Sequence, residues 1–207
     1  MNAINSLEPR AGTSIFLGLK WGVTLLDPSF QSVISALPSA TIDPAFDDRP
    51  ESYDAPSGVM WKTRSLKYLV LMTDGYNDNS WRLKDSYYTD PSYWLYWAKH
   101  NLPWVAQDRN GGPDATISEY RNSTLFYTRD QGVGYMDSMC EAARNAGIII
   151  YAISMSGDET SDVAVQGAEA MARCAGDANR FFVTSGPELD QIFERIAQQI
   201  TDLRLTQ

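Results

Sequence analysis

Three short apolar runs punctuate the chain: Leu66 to Met72 (LKYLVLM), Ile148 to Ile153 (IIIYAI) and Arg180 to Val183 (RFFV). None alternates apolar with polar positions. A strand with one face in water does alternate, so unbroken runs of this length predict strands covered on both faces, as in a parallel sheet. Helical spacing fills the intervals. Ile15, Leu19, Val23 and Leu26 recur at that spacing, as do Tyr135, Met139, Ala142, Ala143 and Ala146 ahead of a stop at Gly147. Thr160 or Ser161 can cap a helix carrying Val163, Gly167, Ala168 and Met171. Ser185 with Glu188 three positions on forms a capping box. Behind it Leu189, Ile192, Phe193, Ile196, Ile200 and Leu203 trace one helical face.

The predicted order is helix, strand, long insertion, helix, strand, helix, strand, helix. Strands alternating with helices imply right-handed crossovers and an α/β fold built on a parallel sheet. Three strands make a thin sheet for 207 residues, which suggests strands missing at the N-terminal end. Two stretches break the alternation. Residues 37–58 hold Pro38, Pro44, Pro50 and Pro56 among Asp43, Asp47, Asp48, Glu51 and Asp54, and read as a solvated acidic loop without EF-hand spacing. Residues 76–131 are an insertion dense in Tyr and Trp, with a short helix expected from Tyr93 to His100. An insertion this long is functional or carries its own structure.

Composition narrows the function. The hydrophobic fraction of 43% and charged fraction of 21% are those of a globular domain. The net charge of −9 opposes polyanions, and with no basic stripe a nucleic-acid role is excluded. No apolar run approaches the roughly 18 residues of a membrane span, and no signal peptide is visible at the N-terminus. Export or membrane anchoring would therefore use a segment outside this sequence. Two cysteines, Cys140 and Cys174, with one histidine, His100, are too few for a zinc cage; they are either one disulfide or two buried thiols. His100 has no identifiable catalytic partner. Gly132-Val133-Gly134 precedes a helix but follows no strand, so it is a poor phosphate loop. Asn122-Ser123-Thr124 matches a glycosylation sequon.

Two segments carry a family likeness. Leu69-Val70-Leu71-Met72-Thr73-Asp74-Gly75 is a buried strand ending in Thr-Asp-Gly. It resembles the strand of von Willebrand factor type A domains whose terminal Asp joins a metal-ion-dependent adhesion site. Gly12-Thr13-Ser14-Ile15, followed by Gly18-Leu19-Lys20-Trp21-Gly22, is similar to the loop and helix of TadG-like proteins of Flp/Tad pilus assembly and secretion, in which a Thr completes that site. Cys140-Glu141-Ala142-Ala143-Arg144-Asn145-Ala146-Gly147-Ile148, Met171-Ala172-Arg173-Cys174-Ala175, Phe181-Phe182 and the run from Leu189 to Leu205 resemble the later helices and strands of that subfamily, the last ending in a terminal strand. The likeness covers residues 11–36, 64–75 and 134–205.

The resemblance implies a partial, Rossmann-like von Willebrand factor A sheet, mostly parallel and flanked by helices. It would be one partial domain over residues 1–207, with residues 76–131 inserted in it. A small hard cation such as Mg²⁺ takes octahedral oxygen ligands and keeps some waters. Family sites supply the oxygens from an Asp-x-Ser-x-Ser loop, a Thr and an Asp, and leave one position for a partner's carboxylate. Thr13 and Asp74 match the Thr and the Asp. The Asp-x-Ser-x-Ser loop is absent, so Mg²⁺, Mn²⁺ or Ca²⁺, expected in the intact family domain, is expected to bind this chain weakly or not at all.

The same resemblance implies a periplasmic or envelope location, where a Cys140–Cys174 disulfide would form. The expected function is a non-enzymatic, protein-binding module of the bacterial envelope, in pilus assembly or adhesion, whose partner is a pilus or envelope protein. An alternative is a metal-independent interaction domain that uses the aromatic insertion through Trp81, Trp94, Trp97 and Trp104. An α/β hydrolase is less favoured, because no Gly-x-Ser-x-Gly elbow occurs.

Overall fold

The computed structural model describes residues 13–38, 41–54, 65–110, 120–155 and 161–205, and it divides into two compact units. One comprises Ile15–Tyr76 with Val133–Gln207; the other comprises Asn77–Gly132 together with residues 13–14. Thr160, one of the two predicted caps, lies outside the described residues, as does Gly12.

The first unit is mixed α/β. Strands β1 (Lys67–Thr73), β4 (Ile148–Ser154) and β5 (Phe181–Val183) form a parallel sheet in the order β1-β4-β5. The helices are α1 (Ile15–Leu26), α2 (Gln31–Ser35), α6 (Arg129–Asn145, which begins in the other unit), α7 (Asp162–Ala175) and α8 (Leu189–Leu205). Two apolar clusters lie on the two faces of the sheet. On one, Ile15 and Leu19 of α1, Met136, Cys140 and Ala143 of α6, and Ala170, Met171 and Cys174 of α7 pack with Leu71, Ile148, Ile150 and Ala152. On the other, Ile192 and Ile196 of α8 pack on Tyr151, Ile153 and Phe182.

Several local expectations shift. The buried face of α6 is Met136, Cys140 and Ala143, while Tyr135 and Ala142 face water. The helix also starts earlier than predicted and runs through Gly132-Val133-Gly134. Its start is a reciprocal cap: the Thr128 N–H donates to Gln131 Oε1 at 2.9 Å, and the Gln131 N–H donates to Thr128 Oγ1 at 3.2 Å. The box expected of Ser185 is replaced by Thr184, whose hydroxyl donates to Glu188 Oε2 at 2.8 Å and accepts from the Gly186 N–H at 2.9 Å. Leu203-Arg204-Leu205, expected to be a terminal strand, are the end of helix α8, which runs to Leu205. Ser161 caps α7, accepting from the Ala164 N–H at 3.3 Å.

Cys140 and Cys174, both buried, are joined by a disulfide that ties α6 to α7 with Cα atoms 5.1 Å apart. Arg144 reinforces the junction, its Nη1 donating to the carbonyls of Arg173 at 3.1 Å and Cys174 at 2.5 Å. These are carbonyls at the C-terminal end of α7, where a cation also meets the negative end of the helix dipole. At the start of β1, Lys67 is buried. Its ammonium donates to the Leu26 carbonyl at 2.6 Å and lies 4.0 Å from the centre of the Tyr53 ring. Burial lowers its pKa, since the charged form loses water.

The second unit is built on an antiparallel pair, β2 (Ser80–Leu83) with β3 (Ser123–Tyr127), whose register slips between Ser80 and Trp81. Between these strands lie helices α3 (Ser86–Thr89), α4 (Pro91–Trp97) and α5 (Leu102–Asn110). The insertion thus carries its own structure, and its small core is Val105, Ala106 and Tyr120 with Trp97 and Leu102 against them.

Candidate functional site

The first candidate surface is the outer side of β1. Among the described residues β1 pairs only with β4. The Met155 N–H donates to the Thr73 carbonyl at 2.8 Å, and the Thr184 N–H to the Ser154 carbonyl at 2.9 Å. In a parallel ladder each residue turns its N–H and C=O to the same neighbour, and the direction alternates along the strand. Leu69, Leu71 and Thr73 therefore point their backbone groups at β4. Val70 and Met72 point theirs away from it.

The side chains alternate in step. Leu71 and Thr73 are buried on the α1, α6 and α7 face, but Val70 is 41% and Met72 48% exposed. This departs from the expectation of a strand covered on both faces. The cause lies in the packing of α8: Ile192 and Ile196 cluster with Tyr151, Ile153 and Phe182, Tyr68 packs against that cluster, and Val70 and Met72 lie outside it. An apolar strand with an open edge and an open face is exposed to pairing with further chain.

At its C-terminal end β1 runs into Thr73-Asp74-Gly75. The Gly75 N–H donates to Thr73 Oγ1 at 3.2 Å, closing a tight turn, and Asp74 is exposed. Helix α7 packs closely here: a Cβ on Gly167 would lie 3.0 Å from the Gly75 carbonyl oxygen and 3.2 Å from Tyr76 Cβ. Thus Asp74 stands on a turn braced from behind, at the carboxyl end of a parallel strand, where open α/β sheets place their sites.

Thr13, the other residue assigned to a cation, belongs to the second unit. Its N–H donates to Asp78 Oδ2 at 3.3 Å and its carbonyl accepts from the Asp78 N–H at 2.8 Å. Asp78 is a partner that sequence reasoning did not single out; an Asp two residues into a polar loop gives no periodic signal. No cluster of three or more His, Cys, Asp or Glu among the described residues is arranged to hold a metal. Asp74, with its single exposed carboxylate, does not make the oxygen-rich set that Mg²⁺ requires.

The tryptophans of the insertion separate into two kinds. Trp97 packs into the unit's core and Trp81 is half-buried in β2. Trp94 and Trp104 are each 55% exposed. The Trp94 indole donates to the Tyr88 carbonyl at 2.9 Å, which fixes its orientation. His100 stacks on Tyr96 with ring centres 4.0 Å apart, and its Nδ1 lies 2.6 Å from the Tyr96 carbonyl. That contact occupies the imidazole as a local brace. No helix among the described residues is long and apolar enough to cross a membrane. No family model matches the chain, and no match was found among curated proteins or solved structures.

Proposed function

We propose that the chain is a non-enzymatic protein-binding module that takes up a further strand and a covering helix along β1. The observation that carries this is that, among the described residues, β1 has an edge with no paired strand and an exposed apolar face at the same two positions, Val70 and Met72. A strand alone would satisfy the edge and leave the face wet. A strand with its helix satisfies both, as in any βα unit of a parallel sheet.

This reading agrees with the likeness to von Willebrand factor type A domains of TadG-like Flp/Tad pilus-assembly proteins, in which a strand lies beside the one matching β1. In it, the added strand brings its own C-terminal loop beside Asp74, and that loop supplies the oxygen ligands that the described residues lack. Asp74 is then a retained position of the metal-ion-dependent adhesion site, as Thr13 is by the likeness alone, and Mg²⁺ binds at Asp74 only once the sheet is completed. The partner is a pilus or envelope protein, and the place of work is the periplasm or envelope. The Cys140–Cys174 disulfide supports an oxidising compartment.

A second reading is favoured by the exposure of Trp94 and Trp104: the insertion binds a protein without metal, since exposed Trp is the residue most enriched in interface hot spots. A photo-crosslinking residue placed at Met72 or at Trp94 separates the two in bacterial cells. The first reading predicts a protein adduct from position 72. An adduct from position 94 alone supports the second, and none from either contradicts both.

A further inference from the structure

The insertion holds a cavity of about 750 Å³ that the β1 surface does not involve. One wall is a run of aromatic rings. Tyr93 and Tyr87 have centres 4.7 Å apart, Tyr87 and Trp97 6.1 Å, and Trp97 and Tyr96 5.1 Å. Successive rings meet tilted or edge to face, at interplanar angles of 58°, 83° and 88°. Each ring therefore holds its neighbour's orientation, and the wall is preorganised.

The rest of the lining is polar. Arg109 and Arg121 both border the cavity. Among the described residues Arg109 reaches Asp108 alone, at 4.0 Å, with both side chains largely exposed. Arg121 has no carboxylate within ion-pairing distance among the described residues. Asn122 donates through Nδ2 to the Tyr120 hydroxyl at 3.0 Å, which leaves its Oδ1 to accept from a ligand. Among the described residues neither guanidinium has a firm partner, in a chain of net charge −9.

We propose that this cavity binds an acidic saccharide, with the sugar carboxylate on Arg109 and Arg121 and a pyranose face against the tyrosine–tryptophan wall. Guanidinium groups match a carboxylate's two oxygens in planar, charge-assisted pairs. A pyranose has one face of C–H bonds, which suits the negative face of an aromatic ring, and a rim of hydroxyls, which suits Asn122 and Ser92. The cavity lies within the roughly 300–1,000 Å³ range of small-molecule sites. A nucleotide fits less well. A base is held best in a slot between parallel rings, and the parallel pair here, Tyr96 with His100, is already closed on itself at 4.0 Å.

The inference is independent of strand addition at β1, and its test reads only the sugar. Isothermal titration of the full chain, at low ionic strength, uses trigalacturonic acid, its methyl ester and adenosine monophosphate. The expected result is saturable binding of the acid, with the ester at least tenfold weaker. Arg121→Ala, an exposed position, brings the acid down to the ester's affinity while the circular dichroism spectrum is unchanged. Tyr93→Ala weakens acid and ester alike. No saturable binding of the acid, equal affinity for acid and ester, or tighter binding of the nucleotide overturns the proposal.

Discussion

Met155 donates its backbone N–H to the carbonyl of Thr73 at 2.8 Å, and this one bond fixes which way every amide of β1 points. Because direction alternates along a parallel strand, it sends the N–H and C=O groups of Val70 and Met72 to the side away from β4. Their side chains stand on the α8 face of the sheet, level with Tyr151 and Ile153 but outside the cluster that Ile192 and Ile196 form there. Among the described residues, edge and face are open at the same two positions, and the proposed function rests on that coincidence.

If that surface is for pairing, charge placed there blocks pairing without harming the fold. Val70→Lys with Met72→Lys removes apolar area that is already half in water, so the expected stability change is within about 1 kcal/mol in urea unfolding. The crosslinked adduct from a neighbouring edge position is expected to disappear. A loss of several kcal/mol would mean these side chains are buried in solution.

Gly167→Ala tests the brace behind Asp74. Alanine gains about 1 kcal/mol over glycine in a helix interior. Its Cβ, however, would sit 3.0 Å from the Gly75 carbonyl oxygen, and backbone cannot swing aside as a side chain can. Overpacking of this kind costs about 1–3 kcal/mol, so a net loss of order 1 kcal/mol is expected. A more stable variant would show that α7 does not press on the turn.

The disulfide closes a loop with a sequence separation of 34. In the chain-entropy model such a crosslink contributes roughly 3–4 kcal/mol. Both sulfurs are buried, so reduction should require partial unfolding. Urea unfolding with and without dithiothreitol is expected to differ by that amount. A difference below about 1 kcal/mol would contradict the loop-closure account.

Tyr151 gives a pH dependence. Burial pushes its phenol pKa above the ordinary value of 10.0, so between the two values the folded chain keeps a proton that the unfolded chain has lost. Its contribution is intact below pH about 10 and is lost as pH rises through the folded pKa. Lys67 acts in the opposite direction, because burial lowers its pKa and the folded state releases its proton first. Tyr151→Phe should therefore leave stability nearly unchanged at neutral pH and gain on the parent chain above pH 10. Parallel curves for the two through alkaline pH would contradict this.

The sheet was legible because parallel strands advertise themselves. The runs at 66–72, 148–153 and 180–183 fall on the three strands to within a residue at either end. What the pattern could not carry is the state of Val70 and Met72. They are as apolar as Ile153 on the same face, and only the packing of α8 separates exposed from buried. The register of α6 is hard to read for a related reason: alanines and methionines mark several candidate faces, and the buried one is completed by a cysteine. Its start, by contrast, is written in Thr128 and Gln131, a capping-box spacing that the nearby glycines masked. The small β2–β3 pair left no trace because four residues, Ser-Trp-Arg-Leu, with a register slip, give no usable alternation. Thr13 and Asp74 stood out only through family likeness, and the pairing of Thr13 with Asp78 had no signal at all.

The most direct test is amide hydrogen exchange along β1 in the purified 207-residue chain. The account predicts that the amides of Leu69, Leu71 and Thr73, bonded to β4, exchange slowly, while those of Val70 and Met72 exchange fast, close to the rate of an unprotected peptide. If Val70 and Met72 are protected as well as Leu71, the edge is already covered within the chain, and β1 is not a surface that takes up another strand.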